Sequence, residues 1–199
     1  MTGLMSLSKP LSTWIFIRTQ TGTLLFTLEA RKNLFLLTTQ ICDRALNPGG
    51  WVEFQDWDLM LRSPDNSISP TSALVRQHAL ILEACSKIER RADPGVILKE
   101  TAEAAGFVNV VEYRLPVPLG GWAKDPTYKE IGRLNWHALY DGLEAITMRP
   151  LTGVLGWSVE EVKILLADVK KELFDKSIHA EYTLYVHTSF CFLLSDFSS

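Results

Sequence analysis

One junction limits this chain more than any other. Leu46-Asn47-Pro48-Gly49-Gly50 stops a helix, and Trp51-Val52-Glu53-Phe54 starts a strand at once. Proline cannot continue a helix and glycine permits φ > 0, so the chain must reverse there. Upstream, Leu34, Leu37, Ile41 and Ala45 recur every three to four residues, which is one helical face. Before that, Trp14-Ile15-Phe16-Ile17 is β-branched and aromatic and reads as a buried strand. A strand, a helix and a strand in close succession point to helices laid on a sheet.

The rest of the chain continues the alternation. Ser63–Ser67 is a loop by composition. A helix is predicted from about Ser72 to Arg90, with Leu74, Ala79, Leu82 and Ile88 as core contacts. Asp93-Pro94 supplies an N-cap and a proline at the first helical position, with Ile97, Leu98 and Ala102 inward and a stop at Gly106. Phe107–Val111 is a strand. Pro116, Pro118, Gly120 and Gly121 predict a loop, and Asp125-Pro126 opens a helix running towards Met148. Ser158 and Glu161 have capping-box spacing, and Val162, Leu165, Leu166, Val169 and Leu173 mark one apolar face after them. Tyr182–Phe192 is a final strand. No interdomain linker is evident, so residues 1–199 are read as a single α/β domain.

Composition narrows the function classes. With 199 residues, 47% hydrophobic, 22% charged and a net charge of −3, the chain is an ordinary globular one. A pI of about 5.8 provides no strong basic footprint for nucleic acid. No apolar run reaches the roughly 18 residues of a membrane span. Cys42, Cys85 and Cys191 form no C-x-x-C pair, and His78, His137, His179 and His187 have no ligand spacing. Reduced core thiols in an intracellular protein, cytoplasmic or nuclear, are expected, without a metal site.

A longer pattern resembles a known family. The residues that carry it are Pro48-Gly49-Gly50-Trp51-Val52-Glu53-Phe54-Gln55-Asp56, then Ala105-Gly106-Phe107-Val108-Asn109-Val110. Pro118, Gly121–Asp125, Lys129–Gly132 and Leu155–Val162 follow in the same order. The stretch from Pro48 to Tyr185 resembles the C-terminal part of the fungal LaeA-like S-adenosylmethionine-dependent methyltransferases, many of them linked to secondary metabolism. The resemblance implies a partial class I methyltransferase sheet, Rossmann-like, with helices on both faces. Trp51–Phe54 would be its fifth strand and Tyr182–Phe192 would insert beside it, with a helical substrate-side insertion over about 115–176. Trp14–Arg18 resembles the fourth strand, with Ile15 where an acid and Arg18 where a histidine would stand. The first strands would then be missing. The chain has no G-x-G-x-G, the turn on which the cofactor's amino-acid end would rest.

The function implied is methyl transfer from S-adenosylmethionine to a small molecule or protein, with the cofactor machinery incomplete in this chain. The alternative is a non-catalytic binding or heteromeric partner protein on a partial methyltransferase fold. No catalytic or cofactor-binding residue is assigned. Substrate-side candidates are Gln55 and Asp56, at the C-terminal end of the fifth strand where open α/β sheets hold ligands, and Trp122 and Trp136, as aromatic pocket walls. For each, a solvated strand end or ordinary packing is the commoner use. His137 is a candidate base near neutral pH, although a solvated histidine is commoner. A strand at Trp14–Ile17 without its upstream neighbours would be an open sheet edge, which invites self-association or a protein partner.

Overall fold

The structure, a computed structural model, describes residues 13–19, 22–28, 51–89 and 93–191, with backbone alone for the first two stretches. The helix expected over Leu34–Ala45 and the turn at Pro48–Gly50 lie outside them. Five strands form one sheet: β1 (Thr13–Thr19), β2 (Gly22–Leu28), β3 (Trp51–Arg62), β4 (Phe107–Leu119) and β5 (Ala180–Cys191), in the order β2-β1-β3-β5-β4. The last strand thus sits beside β3, as expected. Four α-helices are described: α1 (Ala73–Lys87), α2 (Leu98–Ala104), α3 (Pro126–Gly153) and α4 (Val159–Leu173), with a 3-10 turn at Pro94–Ile97 before α2. The class is α/β.

Two strand expectations change. β1 does neighbour β3, but antiparallel, with Phe16 opposite Gln55 and Thr19 opposite Val52. A helical crossover would have made the pair parallel. Nor is β1 an open edge, because β2 pairs with it antiparallel from Thr13↔Leu28 to Thr19↔Gly22. The pairing ends at Thr19↔Gly22, and the lone glycine there is its signal in the sequence. Among the described strands the edges are β2 and β4.

The described residues fall into two compact units. One comprises Leu61–Ile88 and Pro118–Glu181; the described residues of the other come from Thr13–Met60, Glu89–Val117 and Tyr182–Ser199. In the first unit α1, α3 and α4 pack on one another. Ser158 and Glu161 close both halves of the capping box, and Val162, Leu165, Leu166, Val169 and Leu173 are all buried. The inward face of α1 differs from the expected one. It consists of Leu74, Gln77, His78, Ile81, Ala84 and Cys85, while Ala79 and Ile88 are exposed and Leu82 is half-buried. Two polar residues hide that face from a hydrophobicity count. Gln77 Nε2 donates to Thr147 Oγ1 at 2.8 Å and His78 Nδ1 lies 2.8 Å from the Leu74 carbonyl, which compensates their burial in part; Gln77 Oε1 has no hydrogen-bond partner.

The N-terminus of α1 is held from a distance. Glu172 of α4 accepts from Ser72 Oγ at 2.6 Å, Ala73 N at 2.8 Å and Leu74 N at 2.9 Å. A carboxylate there satisfies two orphan N–H groups and faces the positive end of the helix dipole. A second long-range contact sits on α3. Gly120 N donates to Gly132 O at 2.9 Å, and a Cβ on Gly132 would lie 2.1 Å from the Gly120 carbonyl oxygen. Only glycine fits at that crossing.

In the second unit β3 buries Val52, Phe54, Asp56 and Asp58 on one face. Phe54 meets Phe107 edge to face at 5.5 Å. Leu98 and Ala102 of α2 are buried as expected, while Ile97 is half-buried. β4 continues through Pro116 and Pro118, where a loop was expected. An edge strand tolerates proline because one side of it has no ladder partner to lose.

Two paired substitutions test this packing by urea denaturation. Leu165→Ala should cost about 2–5 kcal/mol, whereas Lys163→Ala, exposed on the same helix, should stay within about 0.5 kcal/mol of the parent. Gly132→Ala should lose about 1–3 kcal/mol by overpacking. Gly142→Ala, where a Cβ meets nothing within 4 Å, should be neutral or gain up to about 1 kcal/mol of helix propensity. Equal midpoints within either pair would contradict the contacts described.

Candidate functional site

Three sequence-predicted residues converge in the first unit. Trp122, Trp136 and His137 line one cavity of about 590 Å³, together with Lys129, Arg133 and Lys176. The volume lies in the range of small-molecule sites, roughly 300–1,000 Å³. Local sequence explains how α3 contributes. Asp125 accepts from Thr127 N at 2.9 Å and Tyr128 N at 3.0 Å, and Pro126 takes the first helical position, so α3 starts sharply after the Gly120-Gly121 turn. Lys129, Arg133 and His137 then follow at i, i+4 and i+8, on one helical face.

The two indoles are walls with their polar handles already used. Trp122 Nε1 donates to the Ala180 carbonyl at 2.9 Å, and Trp136 Nε1 to the Leu173 carbonyl at 2.7 Å. Trp122 stacks on His179 with centroids 5.1 Å apart, and Trp136 on Tyr140 at 5.0 Å with 9° between the planes. Phe174 meets Trp136 at 5.2 Å. His179 is held in turn by Asp65, whose carboxyl is kept below the usual carboxylate range by hydrogen bonds with Ser67 and His179.

The turn at Gly120-Gly121 seats the cations. A Cβ on Gly121 would lie 3.1 Å from Arg133 Cγ and 3.7 Å from Lys129 Cγ, so both stems rest on bare backbone. Lys129 and Arg133 went unrecognised as site residues by sequence reasoning. Their signal is the Lys-Arg-His spacing on a helix opened by D-P after a double glycine.

Gln55 and Asp56 lie in the other unit and do not take the place foreseen for them. β3 runs on to Arg62, so both sit in mid-strand rather than at its C-terminal end. Gln55 Nε2 donates to Glu53 Oε1 at 2.6 Å. Asp56 is only 4% exposed. Its Oδ1 accepts from Trp57 N at 2.7 Å, while Oδ2 has no hydrogen-bond partner. Burial pushes its pKa up to about 7, against a smaller lowering by the Trp57 N–H. Beside it, Gly95 is closely packed, because a Cβ there would lie 3.0 Å from both the Asp56 carbonyl oxygen and the Tyr185 ring.

The second unit also contains a histidine cluster outside the sequence-based candidates. His187 is fully buried, with Nε2 3.0 Å from Glu112 Oε2 and Nδ1 without a hydrogen-bond partner. Burial holds its pKa down despite the carboxylate. Burial pushes Glu112 upward, but hydrogen bonds from Arg114 and His187 outweigh it and keep the carboxyl low. Burial thus favours the neutral form of this imidazole. Among the described residues no group of His, Cys, Asp and Glu could hold a metal ion, and no helix is long and apolar enough to cross a membrane.

Asp56 supplies a pH test. Its pKa is raised on folding, so the folded state holds the extra proton between the unfolded value near 3.8 and about 7. Stability from this group falls as pH rises through that window. Asp56→Asn should therefore gain stability relative to the parent at pH 8 and much less at pH 5, measured by urea denaturation. A difference independent of pH would show that Asp56 is not a buried acid.

No family model matches the chain. The methyltransferase pytC of Aspergillus terreus is 37% identical over 145 residues, which are 73% of this chain and 45% of that protein. The secondary metabolism regulator LAE1 of Cochliobolus heterostrophus is 32% identical over 146 residues, 72% of this chain and 48% of that one. The protein-methionine methyltransferase laeA of Emericella nidulans is 29% identical over 143 residues, 71% and 38% respectively. A solved N-methyltransferase of Haemonchus contortus aligns with a TM-score of 0.37 at 17% identity, over 81% of this chain and 30% of its own, which is too loose for comparison of sites. The chain spans a little under half the length of the curated relatives pytC and LAE1. Over that part of their length the chain is similar in sequence to the fungal LaeA-like methyltransferases.

Proposed function

We propose that this chain is the acceptor-side part of an S-adenosylmethionine-dependent methyltransferase of fungal secondary metabolism, and that the cavity at Trp122 and Trp136 receives the methyl acceptor. The observation that carries this reading is the convergence of Trp122, Trp136 and His137 on one cavity of suitable size. Relatives named as methyltransferases and secondary metabolism regulators support it. S-adenosylmethionine supplies a methyl carbon made electrophilic by its sulfonium.

The described residues do not fit that cofactor. The glycines after β4 are committed elsewhere, Gly120 to Gly132 and Gly121 to the stems of Lys129 and Arg133. They leave no strand-to-helix turn free to cradle an anionic ligand end. In this reading the cofactor is held by residues other than these. The chain's own task is orientation. The indole walls fix the plane of an acceptor, and fixing geometry is a large part of any two-reactant transfer.

Calorimetry on the chain should show no S-adenosylmethionine affinity as tight as micromolar, about −8 kcal/mol. A chimera that joins Pro48–Tyr185 to the part of pytC outside the matched residues should bind the cofactor and methylate an acceptor. In it, Trp122→Ala and Trp136→Ala should each lower kcat/KM about tenfold, about 1.4 kcal/mol, with cofactor affinity unchanged. A chimera whose activity ignores both substitutions would remove the acceptor reading and favour a non-catalytic binding protein.

A further inference from the structure

We infer that this cavity selects a planar aromatic acid: a ring between the indole walls and a carboxylate met by Lys129, Arg133 and Lys176. The inference rests on the acceptor cavity proposed above and adds its ligand class.

Charge carries the first part. Three cations line the cavity against two carboxylates, Glu172 and Asp175. Both carboxylates are already engaged. Glu172 uses both oxygens on the N-terminus of α1, whose dipole offsets its charge. Asp175 Oδ1 accepts from Ser177 N at 2.9 Å and Ser177 Oγ at 2.6 Å. The cations are less committed. Among the described residues Lys129 and Lys176 have no ion pair within 4.0 Å, and Arg133 reaches Glu130 only at 3.8 Å, both of them exposed. A cationic ligand would meet three like charges, whereas an anionic one finds charge-assisted donors, one of them a guanidinium fork.

The walls carry the second part. Both indole N–H groups are spent on backbone carbonyls, so Trp122 and Trp136 offer no donors to a polar chain. One face of each is covered, Trp122 by His179 and Trp136 by Tyr140, and what remains to a ligand is apolar ring surface, which favours another flat ring. Gly121 completes the arrangement, since its bare backbone lets the Arg133 and Lys129 stems lie flat beside the turn. A Cβ there would press on the Arg133 stem at 3.1 Å and touch the Lys129 stem at 3.7 Å.

The test uses the full chain with 4-hydroxybenzoate and its uncharged analogue 4-hydroxybenzamide. Binding is read by calorimetry and by NMR shifts of the Trp122 and Trp136 indole N–H signals. The acid should bind about tenfold more tightly than the amide, and that preference should shrink as salt is added. It should fall to near parity in the double variant Lys129→Gln, Arg133→Gln and persist in Lys163→Gln, which lies outside the cavity. The comparison on the unaltered chain does not depend on the double variant folding. Equal affinity for acid and amide, with both indole signals shifting, overturns the anion preference and leaves the acceptor cavity standing. Shifts with neither ligand overturn the ligand class, while the chimera's response to Trp122→Ala and Trp136→Ala still decides the acceptor reading. An acid preference unchanged in a folded double variant overturns the assignment to Lys129 and Arg133.

Discussion

The backbone contact between Gly120 and Gly132 is the constraint on which the candidate site depends. It is a hydrogen bond of 2.9 Å at a place with no room for a Cβ. A helix can come this close to a turn only where both chains are bare. The crossing sets where α3 begins relative to the end of β4, and therefore where Lys129, Arg133 and Trp136 stand. Asn135 reinforces it by donating from Nδ2 to the Pro118 carbonyl at 2.9 Å. The cavity is thus a product of helix docking as much as of its own side chains.

Buried polarity is only partly satisfied in both units. In the helical unit Gln77 Nε2 donates to Thr147, but its Oε1 has no hydrogen-bond partner. Around Asp56 and His187, in the strand-rich unit, one atom of each is left without a partner. Such atoms cost stability unless something compensates them. Both groups respond to burial by favouring their neutral forms. That response reduces the electrostatic cost, yet the geometry remains unsatisfied.

Much of the fold was legible where one physical signal acted alone. α4 combines a capping box with an unmixed apolar stripe, and its limits and buried face follow from sequence. α1 was legible as a helix but not in its orientation, because Gln77 and His78 pack inward through hydrogen bonds that hydropathy does not score. The length of β4 was hidden by Pro116 and Pro118, which break central strands but not edge ones. The antiparallel pairing of β1 with β3 was hidden too, since a strand's composition does not carry its direction. Of the site, the aromatic walls were foreseen and the cationic rim was not. Aromatic size is visible residue by residue, whereas the rim depends on residues one helical turn apart and a glycine turn acting together. Asp56 was singled out for a strand end that proved to be mid-strand, a misjudged boundary rather than a misjudged residue.

The reach of Glu172 bears on the order in which the chain folds. Its carboxylate caps α1 across a sequence separation of 100 residues from Ser72. The first turn of α1 thus depends on a group synthesised and folded much later. Short helices gain little from local propensity alone, and closing a long loop has an entropic cost that must be met before its contacts reward it. α1 has a local cap, Ser72 Oγ accepting from Val75 N at 3.3 Å, and gains its charged cap when α4 docks. The two helices mature together, and non-local contacts of this kind slow a chain's folding. A carboxylate that looks like one more surface charge on α4 is, in kinetic terms, the latch that ties the two ends of the helical unit.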